Sequence, residues 1–326
     1  MSIIRKKYFY FLFILLFAGF SPATGQHLSS RKNATLDLHQ DSLMRYAYDI
    51  VNAPEASQRF RSDSIFIRML VRALKTQNSF YYPFDSLQTI SKLYAPDSSF
   101  RVFTWQVKKD EFVYIQRGAI QKRTEDGSLS LTPMHDVSMF TAKPLDSIRT
   151  AANWIGAIYY RIIEKSFQGR NIYTLLGYDS YNISSNKKWM EVLTFNQQGE
   201  PIFGGYYFSF KDDSAKASKK MPVRFNIEYK KEAGTTFNYD SSLDMIIFDH
   251  LVSESSEPVR KDTYVPDGDY EGFRWQNGQW LHVAKVFSPT LKDGQYPQDR
   301  KILNDAGGVD ENKLKEQSEL NKKRKR

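Results

Sequence analysis

The chain is 326 residues long, contains no cysteine and carries a formal net charge of +9. The missing thiols exclude a disulfide framework, a lipidated-cysteine anchor, a thiol nucleophile and a thiolate metal site. Most of the charge sits at the two ends, in Arg5, Lys6 and Lys7 and in KKRKR at 322–326. The body between them is nearly neutral and shows no basic face of the kind that binds nucleic acid.

The first predicted element is an export signal over residues 1–25. Three basic residues precede the apolar run YFYFLFILLFAGF (8–20), and SPATGQ (21–26) supplies the small residues of a cleavage site. The apolar run is too short for a membrane span, so the mature chain is expected to begin near Gln26, to lack a transmembrane segment and to reach the periplasm or the extracellular space. An uncleaved anchor is the competing reading.

Residues 26–97 read as a helical segment. Asp41 or Ser42 can cap a helix with Leu43, Tyr46, Ala47, Ile50 and Val51 on one stripe. Asp63 or Ser64 can cap a second, with Phe66, Met69, Leu70, Ala73 and Leu74 inward. Asp85 and Ser86 can start a third, carrying Leu87, Ile90, Leu93 and Tyr94 and ended by Pro96.

From residue 98 to about 290 the period changes to two, and aromatic content is high, with 20 Tyr and 23 Phe. Hairpins are predicted over 101–121, 154–181 and 188–210, with LSL (129–131) as a short strand. A polar loop (211–220) is followed by strands at VRFNIEY, TTFNY and DMIIFDHL. YEGFRW and QWLHVAKVF close the series around Asn277-Gly278. Short connections favour antiparallel neighbours. The expected fold is therefore α+β: N-terminal helices packed on a large twisted antiparallel β-sheet, curled into a partial barrel or a sandwich. Residues 291–326 read as a polar, disordered tail. KKRKR within it is expected to be solvated, or attracted to anionic lipid or polymer.

Asn-Gly favours a two-residue type I′ turn, which would set Trp275 opposite Trp280 and Phe273 opposite His282. That ladder is either core with His282 at its rim or a binding platform for a sugar or peptide.

DMIIFDHLV (244–252) ends an apolar strand in Asp249–His250. On a regular strand the two point to opposite faces and cannot form a dyad with each other. They are expected to fasten a strand end through buried hydrogen bonds, an argument that a bulge at Asp249 would weaken. PDGDYEG (266–272) opens like a calcium loop at Asp267, but its twelfth position is Gly278 instead of a glutamate, which rejects an EF-hand. Asp179 in GYD ends a strand without a second carboxylate fixed beside it, as a glycosidase would need. The five histidines have no metal-ligand spacing. No metal and no cofactor is predicted, and hydrolase and phosphate-loop motifs are absent.

The segments FTWQ (103–106), GYD (177–179), KKWMEVLTF (187–195), GEPIFG (199–204), RFNIEY (224–229), IIFDHL (246–251) and YVPDGDYEGFRWQNGQW (264–280) together resemble a family of uncharacterised exported proteins from Bacteroides-type bacteria. The resemblance spans roughly residues 98–282 and implies export, with no reaction or catalytic residue to carry over. The sequence thus predicts a non-enzymatic periplasmic or envelope-associated binding protein, with an envelope protein, a peptide or a glycan as partner. The alternative is a hydrolase in which Asp179, Asp249, His250 and Asp267 converge in a cleft.

Overall fold

The computed structural model describes residues 28–211, 221–255 and 257–287. The predicted signal segment, most of the 211–220 loop and the predicted tail beyond Phe287 lie outside the described residues. Contacts divide the chain into one unit ending at Ala284 and another starting at Lys285. All that follows concerns the first.

Two helices open it, α1 (Ser30–Asn52) and α2 (Ala56–Leu74). The Ser29 hydroxyl accepts the Lys32 N–H, so α1 starts well before Asp41. Leu36, Leu43, Ala47 and Ile50 form its buried stripe, while Val51 faces outward. α2 starts at Ala56, just after the break at Pro54, rather than at Asp63. Neither helix is long and apolar enough to cross a membrane, and no other helix among the described residues is.

The third predicted helix does not form. Residues 84–90 make turns, and Ser91–Tyr94 is a strand, β1. Antiparallel pairing decides this: Ser91–Tyr94 lies along residues 101–104, with Tyr94 opposite Arg101, so the sheet meets the backbone groups that a helix would have met. Arg101, which is fully buried, fixes the approach to it. Its guanidinium donates to the carbonyls of Ser79 and Tyr82, to the Tyr94 hydroxyl and to Gln121 Oε1.

Fourteen further strands follow. They are β2 (Phe100–Lys108), β3 (Tyr114–Lys122), β4 (Ser130–His135), β5 (Arg149–Thr150), β6 (Ile158–Phe167), β7 (Arg170–Asp179) and β8 (Ser185–Phe195), then β9 (Pro201–Phe203), β10 (Phe208–Ser209), β11 (Phe225–Lys230), β12 (Phe237–Asp240), β13 (Met245–Ser253), β14 (Tyr264–Gln276) and β15 (Gln279–Val283). They form three sheets instead of one: β1-β2-β3-β4, then β5-β9-β8-β7-β6 with β11 added on β8, and β10-β15-β14-β13-β12. Strand pairing is antiparallel except between β10 and β15. The α+β class holds, and the sandwich, extended to stacked layers, replaces the single curled sheet.

Side-chain alternation explains the layers. Phe103, Trp105 and Val107 of β2 face the helices in a first core. Phe100 and Val102 face the opposite way, onto Tyr173, Leu175, Trp189 and Leu193 of the middle sheet. Ile172, Leu176, Met190 and Val192 leave the other side of that sheet and meet Phe248, Phe273 and Trp280 of the third. The middle sheet is covered on both faces, which is why IYTLL (172–176) and WMEVL (189–193) read as near-continuous apolar runs. The predicted strand PIFGGYYFSF breaks at Gly204 and Gly205, which have φ of 84° and 156°. There the chain leaves the middle sheet for the third.

One ion pair lies inside this stack. Arg224 donates through Nε to Glu191 Oε1 at 2.7 Å, with side-chain exposures of 0% and 3%. The Tyr159 hydroxyl donates to Glu191 Oε2 and accepts from Trp154 Nε1. The remaining Arg224 nitrogens reach the carbonyls of Pro144, Ser147 and Phe203. Arg224→Met should therefore destabilise the fold by about 3–5 kcal/mol, because it strands a buried carboxylate. Adding Glu191→Leu should recover most of the loss. Urea melts of both variants check this, and a double mutant as unstable as the single one would contradict it.

Candidate functional site

The described structure opens one cleft of about 330 Å³ between β11 and the third sheet. Its first wall is Phe225, Asn226, Ile227 and Glu228, four consecutive residues. Successive side chains on a strand point to opposite faces, so only a strand edge can present all four. β11 pairs with β8 on one side and with no other strand among the described residues. The second wall is Phe248, Asp249 and Leu251 of β13 with Glu271 of β14, and Lys261 and Tyr264 close the mouth. The Lys261 ammonium lies 3.9 Å from the centre of the Tyr264 ring.

The pairing of β13 with β14 shifts register between Asp249 and Leu251, and the extra residues lie on β14, between Pro266 and Tyr270, so His250 faces the bulge. No residue is inserted in β13 itself, and Asp249 and His250 have separate partners. Asp249 Oδ2 accepts the Thr235 hydroxyl at 3.0 Å and the Thr236 N–H at 2.5 Å, which ties the start of β12 to β13. His250 Nδ1 lies 2.9 Å from Asp267 Oδ2, and its Nε2 lies 3.8 Å from Glu271 Oε1. Glu271 Oε2 in turn meets His282 Nε2 at 2.6 Å. The N–H of Asp269, then His250, hold the Asp267 carboxyl below the usual range.

Of the four acidic and histidine candidates, the structure brings His250 and Asp267 into contact and places Asp249 on the adjoining wall. Asp179 is elsewhere. It is buried between the first and middle sheets, where its Oδ1 accepts Gln116 Nε2 and the Tyr181 N–H. Burial pushes its carboxyl up to about 6, although the Tyr181 N–H and the Lys187 ammonium both work against the shift. No group of three His, Asp or Glu side chains with metal-binding arrangement occurs among the described residues.

The last hairpin has the predicted register, Trp275 opposite Trp280 and Phe273 opposite His282, with positive φ at Asn277 and Gly278. Its inner face is not a stacking platform, however. Phe273, Trp280 and His282 are buried in the third core, and the Trp280 N–H donates to the Thr174 hydroxyl of the middle sheet. Trp275 is half-buried against the same core. His282 lies inside the core rather than at its rim because Phe210, Phe248 and Phe273 pack around it.

Sequence reasoning placed Glu271 only in the rejected calcium loop and missed Glu228, Lys261 and Tyr264. A signal for Glu271 existed: it precedes Phe273 by two residues on β14, so it shares the face that carries His282. The others depend on how β11 approaches the third sheet, which no local pattern specifies. Comparison of the chain with family models, curated proteins and solved structures gave no match.

Two stability predictions follow from these contacts. Asp249→Ala should cost about 1–3 kcal/mol, since a buried carboxylate is removed from two partly buried donors that lose their acceptor. His250→Ala should cost less than about 1 kcal/mol, because its side chain is 40% exposed and water screens the pair. The losses should add in the double mutant, as the partners are separate; denaturant midpoints that fail to add would show a shared network. Asp179 has a pH signature. Its folded-state pKa is raised, so the fully charged form is a penalty that is absent below the unfolded value of about 4 and complete above about 6. Asp179→Asn should therefore gain stability relative to the parent between about pH 4 and pH 7, by roughly 2–3 kcal/mol. Thermal unfolding of both proteins at the two pH values tests this, and a constant difference would refute the burial account.

Proposed function

We propose that this protein is exported to the periplasm or cell envelope and acts by binding, with the cleft between β11 and the third sheet as its ligand seat. The observation that carries the reading is the edge of β11, which pairs with no second strand among the described residues and runs along one wall of that cleft. A strand edge recognises an extended chain through backbone hydrogen bonds, with side-chain pockets adding selectivity. Phe225, Ile227, Phe248 and Leu251 supply such pockets. A peptide or an extended segment of an envelope protein fits this arrangement better than a glycan, because the aromatic ladder that could have stacked on sugars is buried. The acids of the cleft are engaged with neighbouring donors: Asp249 with Thr235 and Thr236, and Glu228 with Ser185 and Lys187.

A second reading, a hydrolase, is favoured by one contact. Asp267 orients His250 on the cleft rim as an acid orients a general base. No hydroxyl among the described residues hydrogen-bonds to that ring, so water would have to be the nucleophile.

Selection from a library of extended peptides tests the binding reading. The protein should retain peptides that Leu251→Arg binds roughly tenfold or more weakly, the usual scale for losing an apolar anchor. Equal retention by both proteins would overturn it. Loss of hydrolysis of a peptide or ester panel in an intact His250→Ala protein would instead support the second reading. For export, the N-terminus from an envelope fraction should lie near Gln26, and an intact Met1 would refute cleavage.

A further inference from the structure

A separate recess of about 230 Å³ lies between α2 and the first sheet. Its origin is geometric. Asp63 of α2 is a fixed point, accepting the Trp105 N–H at 2.8 Å and the Arg117 Nε–H at 2.9 Å. Further along the helix, Ile67, Leu70, Val71 and Leu74 form an i, i+3, i+4, i+7 stripe toward the sheet. The sheet answers with Ala119 and Pro133, which sit opposite each other on β3 and β4. Both are small, which leaves a recess beside the stripe, although Leu70 and Leu74 are themselves buried in the first core.

The mouth of this apolar recess carries Arg117. Asp63 uses only the Nε of that guanidinium, and no described residue hydrogen-bonds to the two Nη groups. The arginine is thus oriented by a buried acid, is itself partly exposed, and keeps its outward pair of donors for a carboxylate. An apolar cavity of about 150 Å³ already accepts a benzene ring in another protein, so this one has room for a short alkyl chain.

We propose that the recess binds a medium-chain carboxylate, with its alkyl chain between α2 and the Ala119–Pro133 floor and its carboxylate on the Arg117 Nη groups. This site lies on the helix side of the first sheet and does not depend on the peptide cleft.

Calorimetric titration of the full chain with sodium octanoate tests the proposal, with octanol and octylammonium as matched probes. Octanoate should bind saturably with one site per chain, and octylammonium should not bind. Arg117→Gln should weaken octanoate roughly 10- to 100-fold, the range for a charge-assisted hydrogen bond. That variant disturbs Asp63, so Ala119→Phe provides an independent arm: it fills the recess, leaves Arg117 in place, and should abolish binding without lowering the unfolding midpoint. Octanol binding as tightly as octanoate, or octanoate binding unchanged in Ala119→Phe, would overturn the assignment.

Discussion

The Arg224–Glu191–Tyr159 network is the constraint on which the stack depends. Desolvating an ion pair costs several kcal/mol per charge, and the cost is offset only if every lone pair and donor is met. Here each is. Glu191 takes Arg224 on one oxygen and Tyr159 on the other, while Arg224 uses its remaining nitrogens on three carbonyls. Those carbonyls belong to the long connection before β5 and to β9. The network therefore selects one path for chain segments that hydrophobic packing alone would leave with several. Arg101 does the same at the other end, pinning the 79–94 segment.

Because the middle sheet is enclosed, exposed function is confined to edges and outer layers. The edges are treated differently. β6 borders a groove of about 640 Å³, yet it is guarded. A bulge follows Tyr159, Arg161 and Lys165 lean across to the Tyr239 ring, and Lys165 pairs with Asp244. Bulges and lysines at an edge are the usual devices against unwanted strand pairing. The edge of β11 instead opens into a cleft whose apolar side chains, Phe225, Ile227, Phe248 and Leu251, are interspersed with polar ones, and that contrast underlies the choice of β11 as the binding edge.

The bulge opposite His250 links fold to chemistry. Its extra residues lie on β14, between Pro266 and Tyr270, and they carry Asp267 to the histidine. Asp249, one residue before His250, is turned to the β12 side and holds the strand start. The bulge on β14 thus gives the accessible imidazole a carboxylate partner that Asp249 does not supply, as bulges near functional surfaces commonly re-aim side chains.

The sequence by itself determined the α+β class, the stripes of α1 and α2, most hairpins and, through Asn277-Gly278, the register of the last one. These are local: capping, periodicity of 3.6 or 2, and turn chemistry act over a few residues. The division into three sheets, the replacement of the third helix by β1, and the cleft were decided by tertiary structure. Leu87, Ile90 and Leu93 fit a helical stripe equally well, and the pairing of Ser91–Tyr94 with β2 decided for the extended path. Likewise Asp249, His250, Asp267 and Asp179 are similar polar strand ends in sequence. Which of them meet depends on how separate sheets stack, and stacking is set by which apolar faces are large enough to need covering.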